Sequence, residues 1–574
     1  MNEKLTERVK LTQRKLRKGT LRAVFEEFDG KLMGLGEGKR AEKYRKMAAG
    51  PFSFYRGSAY LFYFDVTREW FPYHTPAERP TWIQGDLHFE NFGAFRSARG
   101  ALVYDVNDFD EGYLGSYLYD LLRMSVSIAL VARMKELPVS SQQDVMEEYL
   151  HSYWRQMRRF ARGKDDPASF QMDAEHAEGP VKKLLRKLQK RRDQHLLEKV
   201  TALVQEHRQF AETEEITTPS QAEQEALAEA WPQYLASVQA DDAEELRHFG
   251  MKDIAVKHGS GTASIGLDRY YVLIEAGADD LGADDVVLEV KEVRVPVPAY
   301  FMKYDESFWQ AFGHQGKRVV MTQQAMHHEA DPYLGYLSID GRDYYVRERS
   351  PYKKRLKLES LESTGDLHSV VSSMGKLTAK LHARADADVE KGILGYHSEH
   401  EIVQAMGDDA ETFSRSIAGW ALAYAEQVEQ DYELFTEWLT GRLRSRGKTS
   451  ARKAEPARMG SAKARRTSAA AEARGGTGRE ASAEVRASAK AGRQGTVEGG
   501  ASAKAGRQGT ADGGARASAG RQGTADGGAS ASAGRQGTAD GSARTAPARL
   551  GTAEAEASAG AEAGAGAGIG PDGS

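Results

Sequence analysis

A short acidic segment carries side chains of the types and spacing that metal and phosphate chemistry requires. Asp86 and Asn91 stand five positions apart after a brief apolar run and a glycine, and Asp108 follows a second apolar run. In phosphoryl transfer a carboxylate orients the attacking hydroxyl, while an amide oxygen and another carboxylate hold Mg²⁺ against the nucleotide phosphates. Two strands linked as a hairpin would bring these three side chains to one edge, so we predict a phosphotransferase site here.

Alternatives remain open within this segment. Asp105 and Asp110 compete with Asp108 for the role of second carboxylate, because all three belong to the same acidic cluster. His88 could be a metal ligand, although we favour a hydrogen-bonded loop histidine. An acidic turn whose Asp and Asn side chains only satisfy backbone groups is the alternative interpretation of the whole segment.

The segment resembles the catalytic core of aminoglycoside and choline phosphotransferases. The shared pattern is G-D-x-H, an asparagine five residues after the aspartate, a strand followed by D-F, and Y-D-L at the start of a helix. The resemblance implies that Asp86 is the catalytic base and that Asn91 and Asp108 hold Mg²⁺. It also implies that Asp120 braces the catalytic loop. The histidine of the family pattern is Gln84 in this chain, which is a departure from that loop architecture.

A kinase also needs groups that bind the nucleotide, and candidates for them lie downstream. Gly259, Gly261 and Gly266 precede a β-rich run, and Lys291 lies inside the apolar strand LEVKE, which resembles the lysine strand of kinases. Backbone N–H groups of such a loop can approach phosphates closely, and a lysine can pair with them. The ordinary alternatives are a simple hairpin turn and a lysine that points to solvent.

The order of these parts suggests a circular permutation. The glycine loop, the lysine strand, a helix and a hairpin are followed by MGKLTAKLHARAD, which resembles the helix that leads into a phosphotransferase catalytic loop. Since no catalytic loop follows that helix, we hypothesise that the catalytic module has moved to the front of the chain. The hypothesis predicts that Lys291 approaches Asp108 in space. Candidates for the helix partner of the lysine are Glu306, Gln323 and Glu329.

The wider pattern resembles a bacterial family known as domain of unknown function 2252 (DUF2252). Its pieces lie between about residues 45 and 385 and include KMAAGPFSFYRGSAY, GDLHFENFG, NDFDEGYLGSYLYDLLRMS, KRVVMTQQAM and LHARAD. That family is grouped with kinase-like folds, so the resemblance implies a fold and a site and names no substrate. Arg56 belongs to the same pattern and would either bind a phosphate through its guanidinium or form an ion pair with one of the aspartates.

The elements that must position these residues follow from hydrophobic periodicity and turn signals. Helices are expected over residues 1–48, 117–133, 147–247, 305–329, 367–385 and 399–439. Strands are expected over residues 51–66, twice within 83–110, within 257–294, and in a hairpin that turns at I-D-G-R (339–342). We therefore predict an α+β, two-lobed, kinase-like fold that is circularly permuted and ends in a disordered tail.

The predicted modules and their boundaries are as follows: an N-terminal helical segment (1–48), a catalytic-loop module with helices (49–250), a nucleotide-lobe module (251–350), further helices (351–440) and a low-complexity tail (441–574). The tail begins with a basic stretch and then repeats GRQGT every 14 residues from Gly492. Its repeats hold almost no large apolar side chain, so ordering them would not offset the entropy cost. A repeat solenoid is the alternative, but it needs apolar faces to stack.

Composition narrows the class of protein. The net charge of −4 gives no global attraction for nucleic acid or membrane, and no cysteine is present for disulfides, thiolate metal sites or a thiol nucleophile. Because the chain has neither a secretory signal nor a long apolar run, we expect a soluble cytoplasmic protein. The basic start of the tail would either contact anionic partners or have no function of its own.

The function predicted from these patterns is ATP- and Mg²⁺-dependent phosphoryl transfer to a small hydroxylated molecule or to a protein. Two alternatives use the same residues. One is a nucleotide-binding pseudokinase or scaffold without turnover, and the other is an enzyme of the same fold that transfers AMP.

Overall fold

The structure is a computed structural model that describes residues 2–191, 195–205, 207–238, 249–259, 261–262, 264–275, 285–387, 389 and 394–453. It has a mixed α+β fold, as the sequence predicts. Most of the predicted tail lies outside the described residues. Its first part, up to Lys453, continues the last helix instead of being irregular, because no proline interrupts the chain before Pro456.

The helices alternate with short strands along the chain. The helices are α1 (Asn2–Phe25), α2 (Glu37–Met47), α3 (Pro51–Gly57), α4 (Ala59–Val66), α5 (Leu118–Met134), α6 (Val139–Ala161), α7 (Gly179–Leu188), α8 (His195–Val200), α9 (Gln221–Ser237), α10 (Glu306–Ala311), α11 (Gln315–Met326), α12 (Thr364–Arg384), α13 (Ser398–Met406) and α14 (Ala410–Lys453). The strands are β1 (Thr81–Ile83), β2 (Phe92–Arg96), β3 (Leu102–Val106), β4 (Tyr113–Gly115), β5 (Thr201–Val204), β6 (His207–Phe210), β7 (Ile216–Thr217), β8 (Met251–Lys257), β9 (Arg269–Ile274), β10 (Val286–Glu292), β11 (Gly335–Ile339), β12 (Arg342–Glu348) and β13 (Lys354–Arg355). No helix among these is both long enough and apolar enough to cross a membrane.

The aromatic run at residues 51–66 is helical, and the strand prediction for it is wrong. It forms α3 and α4, which are separated at Ser58. Six of the eight residues of α4 are buried. A helix that is buried on most sides has no polar face, so its apolar residues do not recur with the helical period. The aromatic residues of this run therefore favour a strand by composition, although the run is helical.

The largest sheet is antiparallel and has the strand order β11-β12-β10-β9-β8-β7. Lys291 lies in the inner strand β10, opposite Tyr345 of β12 and Arg269 of β9. The predicted hairpin is confirmed, with Ile339 paired to Arg342 across a two-residue turn. Both turn residues, Asp340 and Gly341, have positive φ, as a type I′ turn requires.

The acidic loops are connected by four strands in two sheets, and not by one hairpin of two strands. β2 and β3 pair as a hairpin, with Phe92 opposite Val106. β1 pairs instead with β4, and this pairing sets Trp82 opposite Leu114. The β1–β4 pair therefore closes the base of both acidic loops and brings them to one place.

Helices α5, α6 and α12 pack near the β1–β4 pair. The helix predicted at 117–133 is confirmed as α5, which is buried on nearly all sides. α6 and α12 cross at Gly375, where an added Cβ would lie 2.3 Å from the carbonyl oxygen of Tyr149.

The prediction of helix throughout 147–247 is wrong in part, because β5, β6 and β7 interrupt it and β7 joins the large sheet. That pairing is a long-range contact that helical periodicity does not report.

Candidate metal and phosphate site

The predicted carboxylates and the predicted amide line one cavity. Asp86, Asn91 and Asp108 all contribute to its wall. The remaining lining residues come from the N-terminal helical region, the two acidic loops, the segment before β9 and the segment after β10: Phe28, Leu32, Met33, Gln84, Asp110, Glu111, Ser264, Leu267, Val293, Arg294, Val295, Val297 and Tyr300. The cavity is thus acidic on one wall and apolar on another.

The first acidic loop is fixed by side chains that bind its backbone. Asp120, at the start of α5, accepts hydrogen bonds from the backbone N–H groups of Gln84 (2.7 Å) and Gly85 (3.0 Å). Gly85 has a φ of 86°, and an added Cβ would lie 2.0 Å from the carbonyl oxygen of Glu111. Only glycine therefore fits where the two loops touch.

Gln84, which replaces the histidine of the phosphotransferase pattern, links the two acidic loops. Its Oε1 accepts the backbone N–H of Asp86 at 2.9 Å, and its Nε2 donates to the carbonyl oxygen of Asp108 at 2.7 Å. The amide side chain thus serves both loops at once, because it offers a donor and an acceptor.

Asp86 is held by a buried arginine. Arg123, on α5, reaches Oδ1 of Asp86 through Nε at 2.7 Å and through Nη2 at 2.5 Å. The guanidinium also lies 4.4 Å from the centre of the Tyr55 ring. Burial raises the pKa of Asp86, and the charge and hydrogen bonds of Arg123 oppose that rise. Oδ1 is therefore committed, which leaves Oδ2 as the oxygen available toward the cavity.

Asn91 lies at the end of a single 3₁₀ turn, Phe89–Asn91. Its Nδ2 donates to the backbone carbonyl of Asp86 at 2.9 Å, so its Oδ1 is the atom left to act as a ligand. The backbone carbonyl of Asn91 accepts the N–H of Asn107 at 2.9 Å, which ties this turn to the second acidic loop.

The second acidic loop leaves carboxylate oxygens without partners. Oδ1 of Asp108 and Oδ1 of Asp110 are both buried and have no hydrogen-bond partner in the described part of the chain. Burial acts to raise the pKa of Asp108, but Lys291 and Arg347 outweigh it and the pKa lies below its ordinary value. Asp108 is therefore ionised near neutral pH, and it presents an unsatisfied oxygen to the cavity.

Asp105 is separated from this group. Its carboxylate forms a buried ion pair with Lys380 of α12 at 2.6 Å and accepts the backbone N–H of Val106 at 2.8 Å. It does not line the cavity. The sequence left Asp105 and Asp110 as alternatives to Asp108 for the second carboxylate. Asp110 lies beside Asp108 in the cavity wall, whereas Asp105 does not line the cavity.

Lys291 pairs with the acidic loop itself. Its ammonium group forms an ion pair with Asp110. The helix candidates lie elsewhere: Glu329 accepts from Ser97 Oγ at 2.9 Å, Gln323 lines a different cavity, and the exposed Glu306 accepts from Gln310. None of these three contacts Lys291 among the described residues.

The glycine segment before β9 covers part of the cavity. Ser264 and Leu267 line it, and Gly266, with a φ of 85°, lies between them. An added Cβ at Gly266 would lie 2.5 Å from Cδ2 of Leu35. Gly259 and Gly261 do not line the cavity.

Arg56 and His88 contact each other beside the first acidic loop. Nε of Arg56 donates to Nε2 of His88 at 3.2 Å, and the guanidinium forms an ion pair with Glu90. The partner of Arg56 is therefore a glutamate, not one of the aspartates. Burial and the nearby arginine lower the pKa of His88 well below its usual range, so the ring is neutral and hydrogen-bonded.

Three residues of the site carry no sequence prediction: Arg123, Arg318 and Glu111. Arg318, on α11, donates to the backbone carbonyls of Gly112 (2.8 Å) and Asp110 (2.7 Å) and so holds the second loop. Burial, together with the charges of Asp86 and Asp110, raises the pKa of Glu111 to about 7. Arg123 had a signal in the sequence, because an arginine inside a buried helix needs an acidic partner.

Comparison with known proteins gives a family and no closer relative. Residues 39–438 match a family described as an uncharacterized protein conserved in bacteria, DUF2252. No curated protein and no solved structure matches the chain.

Proposed function

We propose, from the premise that this chain belongs to the bacterial family DUF2252, that it is an ATP- and Mg²⁺-dependent phosphotransferase with a kinase-like, circularly permuted fold. The acceptor would be a small hydroxylated molecule or a protein. The observation that carries the proposal is the pair of buried carboxylate oxygens, one each on Asp108 and Asp110, that have no partner and line a cavity shared with Asp86 and Asn91. Buried polar atoms without partners are rare in native proteins and often mark a bound ion or a catalytic role.

The donor set fits Mg²⁺. Asn91 offers Oδ1 and Asp108 offers an ionised carboxylate, and oxygen ligands of these two kinds are the ones that Mg²⁺ prefers. Asn91 and Asp108 would hold the ion, which when bound supplies charge neutralisation for nucleotide phosphates. Lys291, which is ion-paired with Asp110 and does not itself line the cavity, would add its positive charge beside the second acidic loop.

The role of Asp86 follows from how it is held. Arg123 occupies Oδ1, so Oδ2 is free to accept the hydroxyl proton of an acceptor. Asp120 and Gln84 fix the backbone on either side, which limits the orientation of Asp86. Fixed geometry of this kind is how phosphoryl transfer is catalysed, since positioning and electrostatics provide most of the rate.

Two contacts support the permuted order. Lys291 of β10 ion-pairs with Asp110, two residues from Asp108, although the lysine lies far downstream in sequence. Beyond the end of α12, the hydroxyl of Tyr396 donates to the carbonyl of Pro80, the residue just before β1. In an unpermuted kinase-like chain the helix resembling α12 would lead into the catalytic strand, so the nearness of its continuation to β1 favours the hypothesis.

A nucleotide-binding scaffold without turnover is the second candidate, and the Asp86–Arg123 ion pair is the observation that favours it. The arginine occupies Oδ1 of the catalytic carboxylate and leaves one oxygen for an acceptor hydroxyl. If Asp86 serves only in this ion pair, the protein would bind ATP without transferring phosphate.

The test measures ATP binding and turnover on the full chain. With Mg²⁺ and saturating ATP we expect the melting temperature of the wild type to rise by about 3 °C, because a ligand that binds the native state stabilises it. Asp108→Asn should lose the Mg²⁺-dependent part of that shift. Asp86→Asn should keep it while ADP formation falls by about 100-fold or more. Asp340→Asn, in the exposed β11–β12 turn, is the matched control and should behave as wild type.

The outcomes separate the candidates. No shift in the wild type would reject nucleotide binding, and a shift that Asp108→Asn leaves intact would reject this cavity as the site. Binding with no ADP formation in wild type and Asp86→Asn alike would favour the scaffold. Incorporation of label from α-labelled ATP into an acceptor, with the label of γ-labelled ATP released as pyrophosphate, would indicate AMP transfer.

A further inference from the structure

Away from this cavity, three residues at the junction of α12 and α13 have the chemistry of a metal centre. We infer that Asp386, His397 and Glu399 bind one divalent transition-metal ion of the Zn²⁺ or Mn²⁺ class. The inference does not depend on the proposed phosphotransferase function. It concerns different residues and a different donor set from Asn91 and Asp108.

The geometry brings one ligand atom from each residue together. A carboxylate oxygen of Asp386, Nδ1 of His397 and a carboxylate oxygen of Glu399 all lie within 4.8 Å of one another. Nδ1 lies 3.9 Å from Oδ2 of Asp386 and 3.9 Å from Oε1 of Glu399. Bonds of about 2.1 Å to a tetrahedral ion place neighbouring ligand atoms roughly 3.4 Å apart, so a small inward movement of the side chains completes the site.

Glu399 provides the independent sign that a ligand belongs here. Its side chain is 7% exposed, and its Oε2 is buried without a hydrogen-bond partner. Lysine and arginine side chains of the described residues form no ion pair with it. Burying a carboxylate without a cation or a donor is costly, so such a group normally binds a cation or a metal.

The backbone holds the three residues close. Asp386 follows the end of α12 and is 1% exposed, and its Oδ2 accepts the N–H of Ser398, the first residue of α13, at 2.8 Å. The N–H of Ala387 donates to the carbonyl of Tyr396 at 3.2 Å, which closes the connecting segment on itself. Metal binding would therefore fasten the α12–α13 junction, whose Tyr396 also reaches Pro80.

The donor set selects the class of ion. One imidazole nitrogen with two carboxylate oxygens suits Zn²⁺ or Mn²⁺, whereas Mg²⁺ is bound almost entirely through oxygen. The side chain of His397 is 48% exposed, so an ion can enter from solvent at that position. Three protein ligands leave at least one coordination position for water or another ligand.

The experiment titrates chelator-treated full-length protein with ZnCl₂ and MnCl₂ and measures stoichiometry by calorimetry and by elemental analysis after gel filtration. We expect one equivalent of Zn²⁺ to bind and to raise the melting temperature, while MgCl₂ at the same concentration does not. Glu399→Gln and His397→Ala should each weaken binding by at least about 10-fold. His400→Ala, on the adjacent exposed histidine, should bind as wild type.

The melting temperature of each metal-free variant shows whether a substitution weakens metal binding only because it destabilises the fold. Without metal, Glu399→Gln should melt at the same temperature as wild type or higher, because it removes a buried negative charge. A lower melting temperature would show that the carboxylate has another structural partner and would overturn the inference. So would absence of stoichiometric Zn²⁺ binding in the wild type, or unchanged affinity in His397→Ala.

Discussion

Two pairs of aspartates from one stretch of chain have opposite environments. Asp105 and Asp120 are fully partnered: Asp105 binds buried Lys380, and Asp120 accepts two backbone N–H groups and contacts His382 at 3.2 Å. Asp108 and Asp110 each keep one buried oxygen without a partner, and the other oxygen of Asp110 forms an ion pair with Lys291. The comparison teaches that Asp105 and Asp120 hold the two loops, whereas Asp108 and Asp110 each keep one oxygen available for a ligand.

The largest expected effect comes from breaking the Asp105 pair. Lys380→Met would leave a buried carboxylate without its cation, and we expect the free energy of unfolding to fall by about 3–5 kcal/mol. Chemical denaturation measures it. Lys31→Met removes an exposed ion pair, with Glu27, and should leave the free energy of unfolding close to that of the wild type. Equal effects of the two variants would contradict a structural role for Asp105.

The second test removes the acceptor that braces the first loop. Asp120→Ala would leave the N–H groups of Gln84 and Gly85 buried without partners, at a cost of about 2–3 kcal/mol. Asp366→Ala, which removes the exposed third-residue carboxylate of the α12 capping box, should lower the free energy of unfolding by much less. If both variants lose the same amount in urea unfolding, the bracing interpretation of Asp120 fails.

The smallest effect concerns the cavity and depends on pH. In the folded chain the pKa of Glu111 is about 7, above its ordinary value of 4.5. Between those values the native state holds a proton that the unfolded state has lost, so this group makes stability fall as pH rises. Glu111→Gln should therefore be more stable than wild type at pH 8, by up to about 2 kcal/mol, and nearly equal at pH 4.

Melting temperatures of Glu111→Gln and wild type, recorded from pH 4 to pH 8, check this expectation. Glu78→Gln, at an exposed position outside this cavity, is a suitable control because its difference from wild type should not vary over that range. A Glu111→Gln difference that stays constant with pH would show that Glu111 titrates normally and that the cavity wall is less acidic than its residues indicate.

Much of the secondary structure was accessible from local pattern. The period of α5 and the turn signal at Asp340-Gly341 both depend on neighbouring residues, and both predictions are confirmed. The aromatic run at 51–66 was not accessible, because a segment buried on most sides loses the polar face that separates helix from strand. The short strand β7 was missed because it exists through its pairing with β8.

The sequence by itself determined that Asp86 and Asn91 share one tight loop, since only six residues lie between Gly85 and the strand that begins at Phe92. It also determined that the second acidic cluster follows a strand. Only the tertiary structure decided which carboxylate oxygens have a partner, because the lysines that pair with Asp105 and Asp110 lie 275 and 181 positions away in the sequence. Charge pairing over such separations depends on how helices and strands pack, and residue spacing within one segment does not encode it.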